Sequence, residues 1–403
     1  MYLLSPLLRK IMRHGRLCVI DAGGKRHVFG PDEAGGVTIR FHDRWTPTRL
    51  ALNPGLALGE AYMDGRMTVE DGHDILDFLD LVLGNMEWSP DSPLHQLGAG
   101  PRNIINLLSQ YNFFARAKKN VAHHYDLGDE LYALFLDKDW QYSCGYFPTG
   151  DESLDDAQDA KKRHIAKKLL LKPECHVLDI GCGWGGLALT LNRLSGARVT
   201  GITLSDPQHA RASARAGQAG VADKVDFQLQ DYRKVEGRFD RIVSVGMFEH
   251  VGLPYYRTYF EKCRELLADD GVMLLHTIGR ADGPGGTNPW MRKYIFPGGY
   301  SPSLSEIAPA AEKAGLWITD IEVWRLHYAK TLQHWYDRSN ANAAKITALY
   351  DARFLRMWQF YLAASLCTFR HLGHVVFQVQ LTRRQDAVPL TRGYMGVGGT
   401  SAC

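Results

Sequence analysis

The run Gly181-Cys182-Gly183-Trp184-Gly185-Gly186 contains a G-x-G-x-x-G in Gly181, Gly183 and Gly186, between the apolar run HVLDIG and the helix-like GGLALTLNRL. After a strand and opening a helix, such glycines let the backbone pass close to a nucleotide-like ligand, and the helix start offers N–H groups without intrahelical partners. A tight turn with no ligand is the plain alternative. Glu249 and His250 directly follow the apolar run FDRIVSVGMF, at the carboxyl edge of a predicted strand, where α/β proteins bind ligands. His276 lies inside VMLLHTIG, where a histidine is ordinarily a satisfied core residue, and Cys144 in YSCGYF is by default a buried thiol.

A dinucleotide dehydrogenase would share the glycine loop but carry an acidic residue at the end of the second strand, for the ribose. Here that strand ends Thr203-Leu204-Ser205, and Asp179 stands two residues before the first glycine. The run VLDIGCGWG resembles the first motif of S-adenosylmethionine-dependent methyltransferases, so a methyl donor is favoured over a nicotinamide.

The elements that must position these residues follow in alternation from Cys175: HVLDIG, a helix, ARVTGITL, the helix DPQHARASARAG, VDFQLQD, FDRIVSVGMFEH, the helix PYYRTYFEKCRELL, GVMLLHTIG, an insertion, WITDIEVW and HVVFQVQLTR. This is the α/β doubly wound pattern, and seven strands fit a Rossmann-like class I methyltransferase sheet. Upstream, RLCVIDA, KRHVFG and GVTIRFHD predict short strands and hairpins. The stretch from Leu56 to about Met86 carries apolar residues at helical spacing, with Asp71 and Asp74 placed to help start its later helix. Residues 1–90 therefore read as a small N-terminal α+β domain, 91–120 as linker and helix, with Pro, Ser and Gly concentrated over 88–102, and 121–403 as the methyltransferase domain.

At 403 residues the chain is longer than one core usually supports, which agrees with two unequal domains. A net charge of +3 permits an anionic surface as partner without demanding one, and nucleic acid is not indicated. The seven cysteines (18, 144, 175, 182, 263, 367, 403) are scattered with no C-x-x-C pair, which speaks against a metal site and for a reducing cytoplasm. The amino terminus does not read as a signal peptide, and no stretch reaches the roughly 18–20 apolar residues of a spanning helix. A membrane, if met, is met from the side; the basic, apolar segment from Leu3 to Arg16 suits an anionic lipid surface or a solvated arm equally.

Beyond the glycine loop, ITLSDPQ, QDYR, MFEHVG, LLHTIG, HYAKTLQHW and the upstream HHYDLGDELYALFLDKDWQYSCGYF resemble the consecutive motifs of the cyclopropane-fatty-acid-phospholipid synthase family and its mycolic acid relatives. The similarity runs from about Val121 onward, and GEAYMDGRMTVED resembles the extra domain of the phospholipid-acting branch. The resemblance implies a donor site of Tyr142, Ser143, Asp179, Gly181, Cys182, Gly183, Trp184, Gly185, Gly186, Thr203, Leu204, Ser205, Gln208, Asp231 and Tyr232. It implies a catalytic cluster of Cys144, Glu249, His276 and Tyr328 that, with the backbone around Ile278, holds a bicarbonate ion. Such a base has a physical reason: an alkene that takes a methyl from sulfur becomes a carbocation, and ring closure requires a proton to leave the transferred methyl.

His250 is either a partner behind that cluster or structural. Many family members carry a cysteine where YLAASLCTFR places Ser365, two residues before Cys367, so no nucleophilic role passes to Cys367. Aromatics in WMRKYIFPGGYSPSLSEI and YDARFLRMWQFYLAASL either line an acyl tunnel or form plain core. The resemblance thus implies methylene transfer to a cis-unsaturated phospholipid chain by a cytoplasmic enzyme, peripheral on the inner membrane face, using S-adenosylmethionine and bicarbonate. A methyl- or methylene-branched product, a catalytically silent donor- and lipid-binding protein, and a homodimer stay open.

Overall fold

The computed structural model describes residues 1–31, 36–86 and 128–396. The Pro- and Ser-rich stretch 88–102, the linker and helix expected over 91–120, the start of the HHYDLG motif and Cys403 lie outside the described residues. The chain gathers into two compact units. One comprises Met1–Gly100, Thr287–Pro297 and Tyr328–Gly373; the other comprises Pro101–Gly286, Gly298–His327 and His374–Cys403. Where the sequence divides the chain at residues 90 and 120, the contacts thus give the N-terminal unit two later segments as well.

The first unit contains a four-stranded sheet ordered β2-β1-β3-β4, with β1 Leu17–Ile20, β2 Arg26–Phe29, β3 Val37–Phe41 and β4 Met67–Glu70. The three short strands expected upstream are β1 to β3. β4 interrupts the helical reading of residues 56–86: the helix Pro54–Met63 ends before it and Ile75–Gly84 begins after it. Asp74 caps the later helix in a capping box with Asp77, while Asp71 instead takes a left-handed turn conformation (φ 62°). The late helix Ala352–His371 packs on both earlier helices, and Trp290 donates its indole N–H to Met63 Sδ at 3.1 Å. The aromatics of the insertion and late helix meet one another here, Trp290 against Phe360 and Phe296 against Tyr361. The segment after Met1 is no free arm: it forms the helix Leu4–Ile11, with Leu4 and Leu8 buried.

The second unit is built on a seven-stranded sheet ordered β10-β11-β9-β8-β5-β6-β7. Its strands are β5 His176–Ile180, β6 Arg198–Thr203, β7 Val225–Leu229, β8 Phe239–Val245, β9 Leu267–Arg280, β10 Trp317–Trp324 and β11 His374–Thr382, the seven expected. β9, β8, β5, β6 and β7 run parallel, and β11 lies antiparallel to both β9 and β10. Val272 to Leu275 are completely buried, as parallel strands covered on both faces require. The chain reverses across the sheet between β5 and β6 on one side and β8 on the other, and the carboxyl ends of these three strands frame a crevice.

Candidate active site

The crevice forms one cavity in the second unit, lined by Tyr142, Ser143, Asp179, Gly181, Cys182, Gly183, Trp184, Gly186, Thr203, Leu204, Gln208, Asp231 and Tyr232. Two residues expected there are absent from its wall. Ser205 caps the helix Asp206–Gln218, its Oγ accepting from Gln208 N–H, and Gly185 (φ 82°) starts the helix Gly186–Ser195, where a Cβ would lie 2.6 Å from Phe227. Gly183 (φ 54°) differs: a Cβ there would meet only open space.

Each wall has a local cause. The side chain of Thr203, at the end of β6, meets Gln208 Oε1 at 2.9 Å. Trp184 packs against Tyr132 and Trp140, and Tyr142 against Tyr132 and Phe135. Asp231 is buried, and Arg233 grips both of its carboxylate oxygens, Nε at 2.9 Å and Nη2 at 2.6 Å. Arg233, Trp140 and Gln141 line the cavity although the sequence did not single them out. An arginine two residues after an aspartate is the signal that could have found the first.

The segment 129–141 that carries these aromatics is tied to the helix Asp206–Gln218 by charge. Arg211 pairs with Asp129 at 2.9 Å and lies 3.5 Å over the ring of Trp140. Arg215 pairs with Asp139 and donates to the Trp184 carbonyl at 2.8 Å.

At the floor, burial pushes the Asp179 carboxyl up to about 7, and its Oδ2 has no partner among the described residues. Aromatic faces, an enclosed carboxyl and glycine-made space fit a cationic nucleoside such as S-adenosylmethionine.

Val245 at the end of β8, and Gly246, Met247, His250 and Val251 beyond it, line the same cavity. Glu249 lies among them in the short turn Phe248–His250, and its Oε1 accepts from the Ile278 backbone N–H at 2.6 Å. The backbone N–H at Ile278 is therefore taken by Glu249. Glu249 Oε2 is buried with no partner among the described residues, and burial pushes the carboxyl up to about 7. His250 is pushed down to about 4 by burial, so it is neutral at pH 7.

His276 on β9 stands opposite Gln378 on β11, and the Gln378 amide meets its Nδ1 at 3.1 Å. Its ring packs edge-on against Trp324, and burial holds it far below the usual histidine range, hence neutral. Cys144 is fully buried, with Sγ 3.3 Å from the Gly145 carbonyl oxygen. Tyr328 belongs to the first unit and packs there against Trp335 and Phe369. Cys367 is buried and its thiol is pushed up to about 12, chiefly by burial, the opposite of an activated nucleophile.

The family model for mycolic acid cyclopropane synthetase matches residues 114–379. The chain is 39% identical over 335 residues to the cyclopropane-fatty-acyl-phospholipid synthase of Escherichia coli, spanning 83% of this chain and 85% of that protein. It is 43% identical over 257 residues to a probable fatty acid methyltransferase of Pseudomonas putida, spanning 62% of this chain and 65% of that relative's length. A solved mycolic acid cyclopropane synthase complexed with SAH and CTAB matches with a TM-score of 0.63 at 32% identity, over 66% of this chain and 97% of that one.

Proposed function

The chain belongs to the mycolic acid cyclopropane synthetase family, and we propose that it transfers a methylene group from S-adenosylmethionine to the cis double bond of an unsaturated phospholipid acyl chain. It is an S-adenosylmethionine-dependent methyltransferase. The observation that carries the finer reading is that one short turn after β8 supplies both a wall of the donor cavity and the buried Glu249.

The donor, when bound, supplies an electrophilic methyl on a sulfonium. A C–C bond forms from that methyl to one alkene carbon as the C–S bond breaks, and the other alkene carbon is left positive. A proton then leaves the methyl for a base, and its C–H electron pair closes the three-membered ring. Cys144, Glu249 and His276, all in the second unit, are the residues that would hold bicarbonate, which would supply the proton acceptor.

Glu249 suits this task because its two oxygens are unequal. Oε1 is fixed by Ile278, and an acid proton on Oε2 can be donated to an anion, a state that burial favours at neutral pH. Neutral His276, aligned by Gln378, adds a hydrogen-bonding partner without adding charge. Enclosing these groups also keeps out water, which would trap the cation.

The protein meets its lipid at the membrane surface, where the helix Leu4–Ile11 and the two residues before it offer exposed Tyr2, Leu3 and Leu7 beside Arg9 and Lys10. Among the described residues no helix is long and apolar enough to cross a membrane. The fatty acid methyltransferase relative favours a second reading, in which the same cation loses a different proton and the product is branched. Expression in a host lacking cyclopropane lipids, followed by mass spectrometry of its fatty acids, tests both. A mass gain of one CH2 with ring-type fragmentation supports the first reading, a branched fragment pattern the second, and no new fatty acid sinks both.

A further inference from the structure

The helix Leu154–Lys168 buries three lysines, an expensive thing to do with ammonium groups unless each is compensated. Two are. Lys162 Nζ lies 2.6 Å from Asp139, and Lys168 meets Glu322, which also takes His164 at 2.7 Å. Lys161, with no exposed surface at all, has no carboxylate within 4.0 Å among the described residues. Its hydrogen bond goes to a neutral group, Ser143 Oγ, at 2.6 Å.

That bond has a direction. The ammonium can only donate, so Ser143 Oγ accepts, and its own hydroxyl proton is left to point elsewhere. Ser143 lines the donor cavity and is followed by Cys144. Gln158, one turn before Lys161, donates to the carbonyls of Ser143 at 2.9 Å and Gln141 at 3.3 Å, which fixes this loop over the lysine. The helix therefore presents a buried positive charge, relayed through one hydroxyl, to a cavity.

We infer that Lys161, acting through Ser143, positions a small carboxylate-type anion in this cavity: the amino-acid carboxylate of the methyl donor, or bicarbonate. The inference rests on the donor and base reading given above. Lys161 is then a positioning residue, since the anion touches Ser143. Burial pushes the ammonium down to about 8, so it keeps its proton at neutrality. The charged and titratable groups around it are Asp137 and Asp139 from the preceding loop, Lys162 on its own helix, Cys144, Asp179 on β5 and His276 on β9. None of the three aspartates is its ion-pair partner: Asp137 bonds to backbone amides, Asp139 is taken by Lys162 and Arg215, and Asp179 is itself held near neutrality by burial.

Calorimetry of S-adenosylhomocysteine and of 5′-methylthioadenosine, the same nucleoside without the amino-acid end, separates the two sources when run on wild type, Lys161→Met and Lys161→Arg. A loss of about tenfold or more for S-adenosylhomocysteine alone in Lys161→Met identifies the donor carboxylate. Unchanged nucleoside binding with an about tenfold higher half-saturating bicarbonate concentration for methyl transfer identifies bicarbonate. In either case the wild-type affinity for the anion falls as pH rises through about 8, and Lys161→Arg restores affinity without that fall.

A folded Lys161→Met with neither affinity changed by more than about twofold overturns the inference and leaves a structural lysine. Should Lys161→Met fail to fold, Ser143→Ala is read on the same arms. Nucleoside binding needs no lipid turnover, so a wild type that binds S-adenosylhomocysteine yet modifies no lipid refutes the proposed reaction separately.

Discussion

Glu249 and Ile278 are joined across the carboxyl edge of the sheet: the backbone N–H of Ile278, near the end of β9, donates to Glu249 Oε1 at 2.6 Å, beyond the end of β8. The bond fixes one carboxyl oxygen and leaves Oε2 buried without a partner among the described residues.

The first prediction follows from that asymmetry. Glu249→Ala should lower turnover about 100-fold or more while S-adenosylhomocysteine affinity stays within about twofold, because the group acts on the reaction rather than on the donor. Glu249→Gln, which can still accept from Ile278 and donate from its amide, should be milder. With the carboxyl near 7 and its acid form in use, wild-type turnover should fall as pH rises above about 7, and in Glu249→Gln that limb should vanish. A pH–rate profile of both proteins checks it; an unchanged limb in Glu249→Gln assigns it to another group.

A second prediction concerns the glycine loop. Gly183→Val places a branched side chain where the cavity is open and where φ of 54° disfavours it. Donor binding should drop below detection in calorimetry, with the fold kept by circular dichroism. Retained affinity would remove the loop from the donor site.

Charge holds the aromatic wall in place, which gives a third. Arg211→Met together with Arg215→Met releases Asp129, Asp139 and the ring of Trp140 from the helix Asp206–Gln218. Donor affinity should weaken about tenfold, the scale of losing two partly buried ion pairs, while turnover at saturating donor is kept. A fall in saturated turnover with unchanged affinity would show that the wall serves the reaction instead.

The fourth is a stability effect. Asp179 is pushed up to about 7 from an ordinary 3.8, so between those values the folded protein holds a proton that the unfolded chain has released. Stability therefore falls as pH rises through this window and levels off above it. Asp179→Asn removes the ionisable group and should raise the melting temperature at about pH 8 by a few degrees, on the order of 1 kcal/mol or more, with little change near pH 4. Melts at the two pH values decide it: an equal shift at both would trace the effect to packing.

The inner strands of the large sheet were legible as apolar runs, a pattern set by burial on both faces, whereas the edge strands Val225–Leu229 and Trp317–Trp324 carry exposed positions between buried ones and were read from the alternation of elements. β4 was not: only Met67 of Met67–Glu70 is fully buried, and a strand this short between two helices leaves no period to read. Most of the cavity wall at the carboxyl edge of the sheet was legible through the glycine loop and the motifs beside it. Lys161 escaped because KKRHIAKK reads as a solvated helix face, and only the packing shows which of its charges turn inward. The two late segments that join the first unit escaped for a related reason. Their aromatics are spaced as any helical core would be, and the spacing does not say whose core they enter.

The order β10-β11-β9 has a consequence for how the protein is made. β10 leaves the ribosome before β11, yet among the described residues its only strand neighbour in the sheet is β11, which also pairs with β9 and brings Gln378 to His276. Until residues 374–382 are synthesised, a nascent chain carries two unsatisfied strand edges, from β9 and β10, waiting for one late insertion. Synthesis arrested before His374 therefore yields a polypeptide with the glycine loop intact but an unoriented His276 and two edges open to foreign strands, a natural client for chaperones rather than a slower enzyme.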